Sequence, residues 1–394
     1  MRNIFESKSI LLGVTGSVAA YKSIELIRRL RDEGASVRVI MTEASTHFVT
    51  PLSLNLAAGE NSCCDMFATP LSHVTLPRSA DVFVTAPATA NIIAKYANGI
   101  ADDLLSAAMM AFKGPAIIAP AMNWRMWENP VLQRNLDSLI SLGVKVVKPE
   151  RGSLACGEEG IGKMAATEKI IESVRRSLTD QDLAGERILI TAGPTREYMD
   201  SVRFISNRSS GKMGYALAKI AKRRGADVIL ISGPVSLEAP DDITVSRVET
   251  TMEMYNAVMD NISTTSLLIM SAAVADFTPL EKSDSKIEKK DNISIPLLRT
   301  IDILEEIGKR RERPFTVGFA AETGPLLERA RKKLLSKNCD MIIFNDVTLD
   351  GAGFDVDTNE VVIVSKTHDE KLPLMSKEDV ARTIFDRLIV LRNK

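Results

Sequence analysis

Cysteine is scarce and poorly spaced for structural use: Cys63, Cys64, Cys156 and Cys339 are the only four among 394 residues, and none stands in a C-x-x-C pair. Neither a disulfide framework nor a zinc site is expected, and a reducing, cytoplasmic setting fits. The chain also lacks an excess of either charge, with 50 Lys and Arg against 51 Asp and Glu. That balance removes the electrostatic footprint of a general nucleic-acid binder or of a polybasic membrane surface, leaving small-molecule chemistry as the default. Long apolar runs are missing too: they are of strand length and end at Gly or Pro, and the N-terminus has no charged start followed by an apolar core. Neither a membrane span nor an export signal is expected.

What is present is one pattern used twice. Ile10, Leu11, Leu12 feed the small-residue turn Gly13, Val14, Thr15, Gly16, Ser17, and Arg187, Ile188, Leu189, Ile190, Thr191 feed Ala192, Gly193, Pro194, Thr195. Each is a buried opening strand running into a turn. The polar and small residues at 179–186 read as a joint, so the expected domains are 1–178 and 187–394, within the two or three that this length allows.

In the first half, strands are predicted at 10–14, 37–41, 82–86, 116–119 and 144–147. Helices are predicted from about residue 20 to Gly34 and at 91–96, 104–112, 131–142 and 167–178. Strand, helix, strand units of this kind build parallel sheets. The turn at 13–17 is neither G-x-G-x-x-G nor a lysine-bearing phosphate loop. Its backbone N–H groups and Ser17 suit a single phosphate, and equally a plain helix cap. Ala88, Thr89, Ala90 and Asn91 follow a strand end and could approach a flat ring, or simply cap the next helix. His73 is one of three histidines, a candidate base or an ordinary imidazole. Asn123 lies in PAMNWRMW (120–127), which holds both tryptophans and reads as a pocket wall or an oligomer contact. Cys156 sits in a glycine-rich segment that could move, with a buried inert thiol as the competing reading.

In the second half, strands are predicted at 187–192, 228–232, 267–271, 315–319, 341–344 and 361–365, with helices at 212–224, 326–337 and 377–391. Asn207, Ser209, Ser210 and the N–H groups near Gly211, with Arg203, Arg208 and Lys212, form an anion cradle or a solvated basic loop. Asp276 follows a strand end, where a ribose hydroxyl or a metal ion could sit. Lys286 lies in a lysine-rich loop that could neutralise a leaving polyphosphate, although most charge runs are solvated faces.

GSVAAYK (16–22), the His73 segment, PAMNWRMW and ACGEEGIGKM (155–164) together resemble the flavoprotein family of phosphopantothenoylcysteine decarboxylases. ITAGPTRE, ISNRSSGKMG, SAAVADF and VGFAAET in the second half resemble phosphopantothenate–cysteine ligases, and the two families occur fused in this order. The implied fold is α/β, two Rossmann-like three-layer domains, flavodoxin-like in the N-terminal half and nucleotide-binding in the C-terminal half. The implied chemistry is coenzyme A biosynthesis. CTP activates 4′-phosphopantothenate as an acyl-cytidylate, L-cysteine attacks, and the product is decarboxylated by FMN-dependent oxidation followed by re-reduction.

By motif, the resemblance makes His73 the base, Asn123 the holder of the substrate carboxylate and Cys156 a proton donor. Gly16 and Ser17 would take the FMN phosphate, while Thr42, Ala88, Thr89, Ala90, Asn91 and Ala121 would line the cofactor. Asn207 would stabilise the acyl-cytidylate and Lys286 would act in activation. Ser271, Ala272, Asp276, Lys286, Thr300, Ile301, Asp302, Ile303, Phe319, Lys333 and Lys337 would bind CTP, with Mg2+ opposing the phosphate charge. The chain reads T-I-D-I where the family has N-P-D-I, and K-I-E-K-K where it has K-x-K-K. Which lysine beyond Lys286 contributes stays open. Homo-oligomers are implied, with no nucleic-acid or membrane partner. The competing readings are a nicotinamide-dependent oxidoreductase and a non-catalytic flavin-fold regulator.

Overall fold

A computed structural model describes residues 3–153, 157–288, 294–322, 327–346, 348, 349 and 351–392. The chain forms two compact units, Met1–Asp180 and Gln181–Lys394.

The first unit is built from β1 (Ser9–Val14), α1 (Lys22–Asp32), β2 (Ser36–Met41), α2 (Pro51–Ala58), α3 (Ser72–Arg78), β3 (Val82–Ala88), α4 (Ala90–Ala97), α5 (Leu104–Ala111), β4 (Ala116–Pro120), α6 (Trp124–Trp127), α7 (Pro130–Ser141), β5 (Lys145–Val146), β6 (Glu150–Ser153), β7 (Glu159–Lys163) and α8 (Thr167–Leu178). Its main sheet runs β2-β1-β3-β4-β5, and every pairing is parallel. Because alternate strand residues face opposite layers, Ile10, Leu12 and Val14 join one core and Leu11 joins the other. The 2-1-3-4-5 order reverses direction between β1 and β3, and ligands of such sheets gather at that point, outside the C-terminal ends of the strands.

The second unit contains β8 (Arg187–Ala192), β9 (Arg196–Tyr198), β10 (Phe204–Ser206), α9 (Lys212–Arg223), β11 (Asp227–Ser232), β12 (Thr244–Arg247), α10 (Thr251–Asn261), β13 (Leu267–Met270), β14 (Phe277–Pro279), β15 (Leu297–Arg299), α11 (Ile303–Gly308), β16 (Phe315–Glu322), α12 (Leu327–Ser336), β17 (Met341–Asp346), β18 (Thr358–Asn359), β19 (Val361–Ser365), β20 (Asp369–Lys371), β21 (Met375–Ser376) and α13 (Lys377–Arg392). Its sheet runs β12-β11-β8-β13-β16-β17-β19-β20. The first six strands are parallel, in the order 3-2-1-4-5-6 of a dinucleotide-type fold, and β19 and β20 return antiparallel. Ile188 and Ile190 enter one core while Leu189 enters the other, as in the first unit.

Residues 179–186, read as a joint, are partly built into the second unit. Leu183 is buried in its core, and Arg224 Nε donates to Asp182 at 2.8 Å. Of the glycine-rich segment read as movable, residues 159–162 lie within β7, which pairs antiparallel with β6. Cys156, and Lys289 and Lys290 of the lysine loop, lie outside the described residues.

Candidate functional site

In the first unit the loops leaving β1 and β3 are stitched together. Thr15 Oγ1 donates to the Pro87 carbonyl at 2.7 Å and accepts from Thr89 N–H at 3.1 Å. Gly16 must be glycine, since a Cβ there would stand 2.7 Å from that of Ala44. Ser17 caps the 3-10 turn Val18–Tyr21 that leads into α1, accepting from Ala19 N–H. Thr89 caps α4, and Ala90 and Asn91 form its first turn. The buried Ala121 N–H reaches the Ala88 carbonyl at 3.1 Å. Gly16, Ser17, Thr42, Ala88 to Asn91 and Ala121 therefore all follow the C-terminal ends of the adjacent strands β2, β1, β3 and β4.

In the first unit three buried polar atoms have no hydrogen-bond partner among the described residues: Thr42 Oγ1, at the end of β2, Ser62 Oγ and His73 Nδ1. Nature rarely leaves such atoms unpaired without a ligand or water to serve them. His73 is the second residue of α3, which packs on α5. Burial, then the charge of Lys163, holds the Lys22 amine below its ordinary range at the start of α1. Small side chains, a tight glycine turn and an orphaned hydroxyl fit a flat ring carrying one phosphate.

Asn123 caps α6, its Oδ1 accepting from Arg125 N–H at 2.9 Å. Its amide faces Glu158, which also accepts from Trp124 Nε1 at 2.8 Å and pairs with Arg125 at 3.2 Å. The glycine-rich segment packs directly beneath: a Cβ at Gly162 would lie 2.1 Å from the Met122 carbonyl oxygen.

In the second unit a cleft of about 490 Å³ opens where the strand order reverses between β8 and β13. Asn207, Ser271, Ala272, Asp276, Thr300, Ile301, Asp302, Ile303, Phe319 and Lys333 all line it. The wall is set by backbone: Ser271 Oγ donates to the Thr191 carbonyl at 2.7 Å, and Ala273 N–H to that of Gly193 at 2.9 Å. Asn207 Nδ2 donates to the Val274 carbonyl at 2.8 Å, and Lys333 Nζ to that of Phe319 at 2.7 Å. The N-terminus of α9 opens here through Ser209, Ser210 and Gly211, a natural anion seat.

Two predicted residues are not in the wall. Lys337 is turned to Asp302 and Glu305, at 2.9 and 2.6 Å. Burial would raise the Asp302 carboxyl, but the Lys337 hydrogen bond, the Glu305 N–H and the Lys333 charge outweigh it and keep it below the usual range. Lys286 is exposed.

The sequence reading missed Arg299, Asn345, Phe354, Asn359 and Lys377, which also line the cleft. Asn359 Oδ1 is buried and has no partner among the described residues. The buried Lys377 Nζ donates to the carbonyls of Gly353, Phe354 and Val356, at 3.1, 3.2 and 2.5 Å. Burial, then the charge of Lys212, pushes its amine down to about 8. The one available signal was charge complementarity: Arg208 and Lys212 meet Asp355 and Asp357 at 2.6 and 2.7 Å. Among the described residues no group of three His, Cys, Asp or Glu could hold a metal ion, and no helix is long and apolar enough to cross a membrane.

Residues 3–179 match the Flavoprotein family, and residues 183–391 match the C-terminal domain of the DNA/pantothenate metabolism flavoproteins. The coenzyme A biosynthesis bifunctional protein CoaBC of Bacillus subtilis is 42% identical over 398 residues, covering 98% of this chain and 98% of the relative. Its counterpart from Vibrio cholerae is 43% identical over 386 residues, covering 96% and 97%. A crystal structure of the C-terminal domain of a CoaBC protein is 41% identical, covers 54% of this chain and 98% of that chain, and superposes with a TM-score of 0.47.

Proposed function

The chain belongs to the family of coenzyme A biosynthesis bifunctional proteins, and from that premise we propose that residues 187–394 ligate while residues 1–178 decarboxylate. It is an enzyme with both activities, phosphopantothenate–cysteine ligase and phosphopantothenoylcysteine decarboxylase. The nicotinamide-dependent and non-catalytic readings are not favoured.

The observation that carries the ligase assignment is the convergence of Asn207, Ser271, Asp276, Thr300 to Ile303, Phe319 and Lys333 on one cleft at a switch point. In this reading CTP lies across the ends of β8 and β13, with Asp276 toward the ribose and Lys333 toward the nucleotide. Mg2+ would enter with the triphosphate and oppose its charge. Asn207, already oriented by the Val274 carbonyl, stabilises the acyl-cytidylate, and Lys286 offsets charge as pyrophosphate leaves. Cysteine nitrogen then attacks the activated carbonyl, forming the amide and releasing CMP.

In the first unit FMN would be held by Gly16 and Ser17 at its phosphate and by Thr42, Ala88 to Asn91 and Ala121 along its ring. When bound it supplies the two-electron oxidation that makes loss of CO2 possible, and takes part in the re-reduction. Asn123 orients the substrate carboxylate and His73 accepts a proton, its Nδ1 having no partner among the described residues; Cys156 donates one in the reductive half. The site is proposed to work in the cytoplasm and in a homo-oligomer. Incubation with 4′-phosphopantothenate, L-cysteine, CTP and Mg2+ should yield 4′-phosphopantetheine by mass. Accumulation of neither product nor intermediate would refute the assignment.

A further inference from the structure

The side chain of Asp200 is fully buried and faces two segments at once. It lies in the turn between β9 and β10, where its Oδ1 accepts from the N–H groups of Val202 and Arg203, both at 2.7 Å. Its Oδ2 accepts from Ile287 N–H at 3.1 Å. Ile287 is gripped a second time, its carbonyl accepting from Arg203 Nη2 at 3.1 Å. Ser283 N–H closes the same contact on the Met199 carbonyl at 2.9 Å. The residue between these anchors and adjacent to Ile287 is Lys286, while β10 runs directly into Asn207.

A buried carboxylate that accepts from the backbone N–H groups of its own turn and from Ile287 N–H of a remote segment, with Arg203 Nε at 3.8 Å, ties that segment to the turn, and does so more firmly than an exposed ion pair. We infer that Asp200 is a positioning residue of the ligase: it holds the root of the lysine-bearing segment against the hairpin that delivers Asn207. This places Lys286 and Asn207 in register for one reacting phosphate. Asp200 touches neither nucleotide nor acid in this account. The inference rests on the proposed role of Lys286 in activation.

The test uses the full chain and cysteine-dependent pyrophosphate release from CTP. Asp200→Asn keeps one oxygen for the turn but aims its NH2 at the Ile287 N–H, donor against donor. Its kcat should fall about tenfold or more while KM for CTP stays within about twofold. Decarboxylation of supplied 4′-phospho-N-pantothenoylcysteine, the other unit's reaction, should be unchanged. Ile287→Pro, which removes the loop's N–H while leaving the buried carboxylate in place, should reproduce the same split, and Ile287→Ala, which keeps that N–H but loses the same side chain, should not. In a Lys286→Gln background Asp200→Asn should add no further loss, because the group being positioned is gone. Wild-type kcat in Asp200→Asn or Ile287→Pro, or a loss that multiplies in the double variant, overturns the inference. Full turnover by Lys286→Gln alone would instead remove the activation reading beneath it.

Discussion

At the scale of single residues, the informative side chains are those whose needs the fold leaves unmet. Thr42 Oγ1 makes no internal hydrogen bond among the described residues, so Thr42→Val costs no such bond. Stability without flavin should stay within about 0.5 kcal/mol of the parent. Flavin retained through gel filtration should fall, measured by absorbance near the isoalloxazine band. Unchanged retention would take Thr42 out of the cofactor wall.

Lys377 makes the opposite bargain, its amine satisfied by three carbonyls yet held down at about 8 by burial. Between that value and the ordinary lysine range the unfolded chain binds a proton that the native chain does not. Stability contributed by this site therefore rises with pH across that window and is constant below it. Urea midpoints for the parent minus Lys377→Met should grow from pH 8 to pH 10. A flat difference would show that the amine is not depressed.

At the scale of elements, legibility followed burial. The opening strands were readable because parallel strands covered on both faces show as apolar runs, and residues 10–12 and 188–190 are such runs. α3 was not, being seven residues long with Pro77 inside and Leu71 before it at φ 59°. The hairpin of β9 and β10 carries the polar turn around Asp200, which no apolar period marks. The far wall of the cleft was hidden for another reason: Phe354 is tied to Lys377 and Asn359 pairs with Met375, both contacts between segments apart in sequence.

The glycines of 157–162 were read as mobility, whereas at Gly162 the requirement is contact. Gly162→Ala would press a methyl against the Met122 carbonyl, costing roughly 1–3 kcal/mol and displacing the Asn123 turn. CO2 release should drop while CTP-dependent ligation is retained. Loss of both activities would point to general unfolding.

At the scale of the whole molecule, each unit has its own sheet and its own pair of cores. A chain restricted to 181–394 should fold and release pyrophosphate, and one restricted to 1–180 should bind flavin, each checked by circular dichroism and its own assay. Failure of either piece to fold would mean the cores depend on one another. The motifs at the strand ends were legible as well, because each occupies a short, continuous stretch.

The margins of the first sheet carry a last consequence. β5 offers only Lys145 and Val146, and β2 is met along its outer side by Cys63, which takes the Met41 N–H and donates to the Val39 carbonyl. The C-terminal half of the β2 edge is thereby claimed, which shortens the ribbon a neighbouring copy could zip onto. Once folded, this unit therefore offers a second copy only short stretches of edge on which to build a fibrous aggregate.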